Sequence, residues 1–224
     1  MKRLATLCIL LLATNVFSQR IIDKSVGDFN EIKVFDLIEV NLIKSDENKI
    51  LIKGRNVDDI KWENKNGTLK LRMQLDKKFT GEHTLVEVHY IDIDIIDGNE
   101  GAKIVCNETV EKDRIQLRAQ EGARIKIGMN VAHAEIRAVS GGIVEASGLA
   151  KDQIIVLNTG GIFEGKELKT QVSSIKISAG GEAELHASDK VDINVTAGGD
   201  VYVYGNPGEV NKKTFAGGRI YMED

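Results

Sequence analysis

The sequence predicts an all-β chain: a parallel β-helix or β-solenoid of about seven coils, capped at its N-terminal side by antiparallel strands. Three observations predict it. A Gly followed by Gly or Ala recurs at Gly101-Ala102, Gly122-Ala123, Gly141-Gly142, Gly160-Gly161, Gly180-Gly181, Gly198-Gly199 and Gly217-Gly218. The steps between first glycines are 21, 19, 19, 20, 18 and 19 residues, the near-constant period of a stacked repeat. Apolar residues stand two apart on both sides of each pair: Ile104, Ile125, Val144, Phe163, Ala183, Val201 and Ile220 after it, Ile96, Leu117, Ile136, Ile155, Ile175 and Ile193 before it. β-Branched residues dominate, and an apolar period of two excludes the 3.6 of a helix. Two short half-buried strands per repeat follow, each pairing with its equivalent in the next coil.

Taken in order, residues 1–18 read as an export signal. Lys2 and Arg3 precede an apolar run from Leu4 to Thr14, and Val16-Phe17-Ser18 offers the small residues a signal peptidase reads. The run is too short for a comfortable membrane span. The expected mature chain starts at Gln19, has no membrane span, and resides in the periplasm, on the outer-membrane surface or outside the cell. Cleavage removes Cys8 and leaves Cys106 alone, in an inward column where it reads as a small buried hydrophobe.

Residues 19–95 lack the glycine period but alternate through Ile32, Val34, Val40, Leu42 and Ile50-Leu51-Ile52. Ile60 and Trp62 lead into Asn66-Gly67, the preferred pair for a tight hairpin, followed by Leu69, Leu71 and Met73. This part predicts an antiparallel meander closing the first coil, since an open sheet edge would recruit other strands; Trp62 is expected in its core. The solenoid proper occupies 96–224, and Lys212 and Thr214 break the apolar columns where a terminal cap is needed.

The opening Phe29-Asn30-Glu31-Ile32-Lys33-Val34, the stretch Ile38-Glu39-Val40-Asn41-Leu42, the Asn66-Gly67-Thr68-Leu69-Lys70-Leu71 hairpin and the Ser/Thr/Ala-Gly-Gly ladder together carry a resemblance. The chain resembles the exported bacterial proteins of the auto-transporter adhesin head, or GIN domain, family, common in Bacteroidetes. The resemblance covers nearly the whole mature chain and implies a β-helical fold with a covering N-terminal part. It implies an adhesin-type role without a defined chemistry. Glu100 and Glu121 stand where the family pattern has a small residue, which predicts looser turns in the first two coils.

Composition narrows the function. There are 30 basic and 34 acidic residues, and loss of Lys2 and Arg3 leaves 28 against 34, a balance of −6. With no basic cluster and few aromatics, nucleic acid and anionic membrane surfaces are not expected partners. Asp92, Asp94 and Asp97 only approximate a calcium loop; the intervening isoleucines make a solvated strand face the better reading, and no metal site is expected. His83, His89, His133 and His186 are scattered without paired-ligand spacing, and neither a Gly-x-Ser-x-Gly elbow nor a phosphate loop is present. No cofactor is expected.

One constellation is sharper. The third position after the glycine pair faces outward and holds Glu145, Glu164, Glu184, Tyr202 and Tyr221 in successive coils. Stacked in register, these five form the candidate ligand-binding column, with an unknown surface, glycan or protein as partner; catalytic residues are expected to be none. A glycan-active hydrolase or lyase using the acidic column is the alternative, since neighbouring carboxylates about 5 Å apart suit retaining hydrolysis. The expected function is an exported, non-catalytic binding or adhesion-type module.

Overall fold

Alternation of apolar and polar side chains runs through most of the described chain, and most of it is strand. The computed structural model describes residues 21–54 and 56–223; the segment read above as an export signal, Cys8 included, lies outside them. The N-terminal part contributes β1 (Ile22–Ser25), β2 (Glu31–Val34), β3 (Glu39–Lys44), β4 (Lys49–Gly54), β5 (Ile60–Lys65), β6 (Thr68–Met73) and β7 (Thr84–Tyr90). The glycine repeats contribute β8 (Ile95–Gly98), β9 (Lys103–Gln120), β10 (Arg124–Val139), β11 (Ile143–Asn158), β12 (Gly161–Gly165), β13 (Leu168–Ile177), β14 (Gly181–His186), β15 (Lys190–Ala197), β16 (Asp200–Tyr204), β17 (Glu209–Ala216) and β18 (Arg219–Met222). Among the described residues no helix is long and apolar enough to cross a membrane.

Each coil pairs in parallel with the next, from β9–β10 to β16–β18. The solenoid has three sides. The stretch before the glycine turn makes the first and the stretch after it the second. The third is a shorter ladder in which Val110, Met129, Gly148 and Leu168 are successive partners. Inside, Val40, Ile104, Ile125, Val144, Phe163, Ala183 and Val201 partner in turn, and none is more than 2% exposed. Ile32, Ile96, Leu117, Ile136, Ile155, Ile175 and Ile193 form the second expected column, which ends on exposed Lys212.

The antiparallel strands expected at the N-terminus are present: β1 on β4, β4 on β7, and β5 on β6. They are not a simple meander. β2 lies between β6 and β8, and β3 between β7 and β9, all four pairings parallel. The first coil in sequence is therefore the second in space, clamped between the β6–β7 coil and the β8–β9 coil. Side-chain alternation is the same for parallel and antiparallel partners, so this threading leaves no local mark. The buried residues from Phe29 to Val203 form one apolar cluster, and position 95/96 marks a change of repeat with no break in the core. Trp62 is half-buried at the rim of that cluster, opposite Leu71. Cys106 is buried as expected, with its Sγ 3.7 Å from the Tyr90 hydroxyl.

The turns are as tight at Glu100 and Glu121 as elsewhere, contrary to the looser geometry expected there. Glu100 (φ 51°) and Glu121 (φ 54°) adopt the same left-handed conformation as Ser140 (49°) and Thr159 (50°). In each case the following glycine is left-handed too, giving a mirror-image turn with φ positive at both central residues. The same backbone conformation thus holds a long side chain at this point as readily as Ser or Thr.

Candidate functional site

The outward row on the second side is built by the ladder itself. Lys126, Glu145, Glu164, Glu184, Tyr202 and Tyr221 are register partners from β10 to β18, so their Cα atoms follow one another at about the 4.8 Å strand spacing. The structure thus brings all five predicted site residues together. Tyr202 and Tyr221 stack with ring centroids 4.8 Å apart and planes inclined by 11°. The Tyr204 hydroxyl donates to Glu184 at 3.4 Å, and the Lys166 ammonium sits 4.2 Å above the Tyr204 ring. Partial desolvation, then the neighbouring Asp200 carboxylate, pushes the Tyr202 hydroxyl above its ordinary pKa.

The carboxylates are not a bare acidic stripe. Lys126 Nζ donates to Glu145 at 2.6 Å, and Arg124 Nη1 lies 3.4 Å from Glu164 and 3.9 Å from Glu145. These cations were overlooked in reading the sequence, although the signal was available: Lys126 is the third residue after Gly122-Ala123, the position of Glu145 one coil later. Half-exposed pairs of this kind contribute about 0–1 kcal/mol each; their effect is to fix the side chains in place. Between the carboxylates and Ser147 and Lys166 lies a shallow cavity of about 300 Å³. It offers hydrogen-bond acceptors and one cation, and the stacked Tyr202 and Tyr221 continue the same outward row.

The other polar features read differently. Lys112 Nζ occupies the place a cation would take between Asp92 and Asp94, donating to Asp92 at 3.0 Å and to the Ile93 carbonyl at 2.7 Å. Among the described residues no group of His, Cys, Asp and Glu is arranged to hold a metal ion. His133 pairs with Asp152 at 2.8 Å on the first side.

The relatives agree with this architecture. The sequence model of the family described as putative auto-transporter adhesin, head GIN domain, matches residues 28–207. The chain belongs to that family. Among solved structures, a protein from Bacteroides fragilis described as a putative adhesin superposes with a TM-score of 0.84 at 16% identity, covering 92% of this chain and 98% of that one. A putative lipid binding protein from Parabacteroides distasonis gives 0.71 at 15% identity over 93% and 98% of the two chains. A putative adhesin from Parabacteroides merdae gives 0.70 at 15% identity with the same coverage. At these identities the likeness extends to the fold alone. Among curated proteins nothing matches.

Proposed function

We propose that this GIN-domain chain is a non-catalytic, exported adhesion module that binds a glycan or protein surface along the second side of its solenoid. The observation that carries the reading is the single row from Lys126 through the three glutamates to the stacked Tyr202 and Tyr221, held in register by a continuous backbone ladder. A rigid row loses little conformational freedom on binding, and tyrosine offers an apolar face with a polar tip. General acid catalysis asks instead for a group shielded from water and distinct in role from its neighbour. Here Glu145 and Glu164 are half-exposed and stand beside cations. The adhesin descriptions of the family and of two neighbours support the same role and a surface or exported protein, and the apolar segment after Lys2 and Arg3 supports export.

The test compares the mature chain with Glu145→Gln/Glu164→Gln/Glu184→Gln and with Tyr202→Ala/Tyr221→Ala on arrays of bacterial and host polysaccharides and matrix proteins. Retention by the unaltered chain, weakened about tenfold or more in both variants, is expected; tenfold corresponds to about 1.4 kcal/mol. Turnover of a polysaccharide that disappears in the triple variant would establish the glycan-active enzyme instead.

A further inference from the structure

The solenoid changes girth partway along, and the step leaves a shelf. Partners on β12 and β14 are 20 residues apart (Gly165 and Leu185), whereas partners on β13 and β15 are 18 apart (Val172 and Lys190). Those two residues are lost from the third side, whose ladder ends at β13. In the next coil the chain cuts the corner through Ala187, Ser188 and Asp189. It is tied down by bonds from the Ser188 and Asp189 amides to the Thr170 and Gln171 carbonyls, both 2.9 Å.

The space above this corner is a cavity of about 390 Å³. Its floor is made by the buried Val131, Ala150 and Thr170, with Leu149 forming an exposed apolar edge. Its rim carries Lys151 and Lys169 together with Asn130, Gln171 and Ser188. Among the described residues neither lysine is in an ion pair, and Lys169 Nζ donates to the Lys166 carbonyl at 3.4 Å. His186 makes one wall. A Cβ added at Gly205 would come within 2.6 Å of its ring, so that ring rests directly on the next coil's backbone. Its Nδ1 is buried without a hydrogen-bond partner. The shelf is stiff underneath, where Ser173 Oγ donates to the His186 carbonyl at 3.0 Å and Gln153 Nε2 donates to Ser173 Oγ at 2.8 Å.

We propose that this shelf binds an acidic sugar, with the ring lying on the Val131–Ala150 floor and its carboxylate or sulfate held between Lys151 and Lys169. Two lysines lining one cavity, neither in an ion pair among the described residues, disfavour a metal ion and favour an anion, in a chain whose formal net charge is −4 and which does not attract anions as a whole. A floor of small apolar groups under a polar rim suits the C–H face of a sugar ring, and the volume lies within the range of small-ligand sites, about 300–1,000 Å³. Burial first, and then Lys169, holds the His186 imidazole below its ordinary pKa, opposed by the nearby Thr170 backbone and then by Glu167. A bound anion supplies the charge that reverses this, so occupancy is reported at His186.

The experiment follows the imidazole resonances of the mature chain by NMR while trigalacturonate, a sulfated galactose oligomer, neutral galactotriose or inorganic sulfate is added. Both charged sugars, or one of them, should shift His186 and raise its titration midpoint while leaving His133 in place. Lys151→Ala/Lys169→Ala should weaken the response about tenfold or more with its melting temperature retained, and Lys176→Ala, on the first side of the same coil, should not. The Glu145/Glu164/Glu184 variant should bind unchanged, so this site and the proposed adhesion row fail or succeed separately. Response to galactotriose equal to that of the charged sugars, equal loss in Lys176→Ala, or no response at His186 would overturn the proposal. Inorganic sulfate binding as tightly as the sulfated sugar would overturn the sugar assignment and leave a simple anion site.

Discussion

Neighbouring glycines in one turn meet different constraints. Gly160 has φ 74°, and a Cβ built on it would touch nothing within 4 Å. Replacing it with Ala therefore costs only the left-handed conformation, about 1–2 kcal/mol. Gly161 has room for no side chain at all: a Cβ would lie 2.0 Å from the Ala138 carbonyl oxygen of the coil beneath. Gly161→Ala must push two coils apart and should cost more than Gly160→Ala, at or beyond the about 1–3 kcal/mol of an overpacked core. Denaturant midpoints of the two variants check this order, and a Gly160→Ala variant at least as unstable as Gly161→Ala would contradict it. The sequence reports such pairs as turns, but not which member supplies conformation and which supplies clearance. From Gly180-Gly181 onward the left-handed pair shifts by one residue onto both glycines. Only the backbone shows that shift.

At the scale of the strand, the inward columns were legible because a period of two admits one assignment of faces. Ile155 sits between its partners Ile136 and Ile175 with 0% exposure, while the adjacent Ile154 is 52% exposed. Ile155→Ala should destabilise by about 2–5 kcal/mol, because packed coils above and below prevent collapse into the cavity. Ile154→Ala on the same strand should stay within about 0.5 kcal/mol. Equal losses in chemical denaturation would mean that the faces are reversed. The same period also placed Glu145, Glu164, Glu184, Tyr202 and Tyr221 on one row, and the structure keeps them there. What the pattern did not reveal was contact across rows: Arg124 reaches Glu164 from two coils away, a diagonal set by rotamers. The shelf by Lys169 was half visible. The 18-residue step from Gly180 to Gly198 marks a short coil, but which side loses the residues depends on where the next strand re-enters the ladder.

Across the whole molecule the two ends of the stack differ in how they are secured. At the N-terminal end, the coil made by β2 and β3 has parallel partners on both edges and antiparallel strands beyond them. Releasing it requires separating two coils distant in sequence, which makes it part of the global unfolding unit. At the other end, β17 and β18 are each paired along one edge only among the described residues. Every residue of β17 except Val210 is exposed, including Phe215 at 86%. Lys212 takes the place of an isoleucine there, a charge that discourages further strands from adding but contributes no packing. In a stack held by nearest-neighbour contacts, opening should begin at this end and travel inward. Amide hydrogen exchange should therefore be about 100-fold or more faster in β17 and β18 than in β2, β3 and β10, with β15 and β16 between. Replacing Lys212 with Ile should slow exchange in β17 and its neighbour β15 while leaving β2 and β3 as they were. Uniform protection from β2 to β18 would show that the solenoid opens as one unit and that its threading has no energetic consequence.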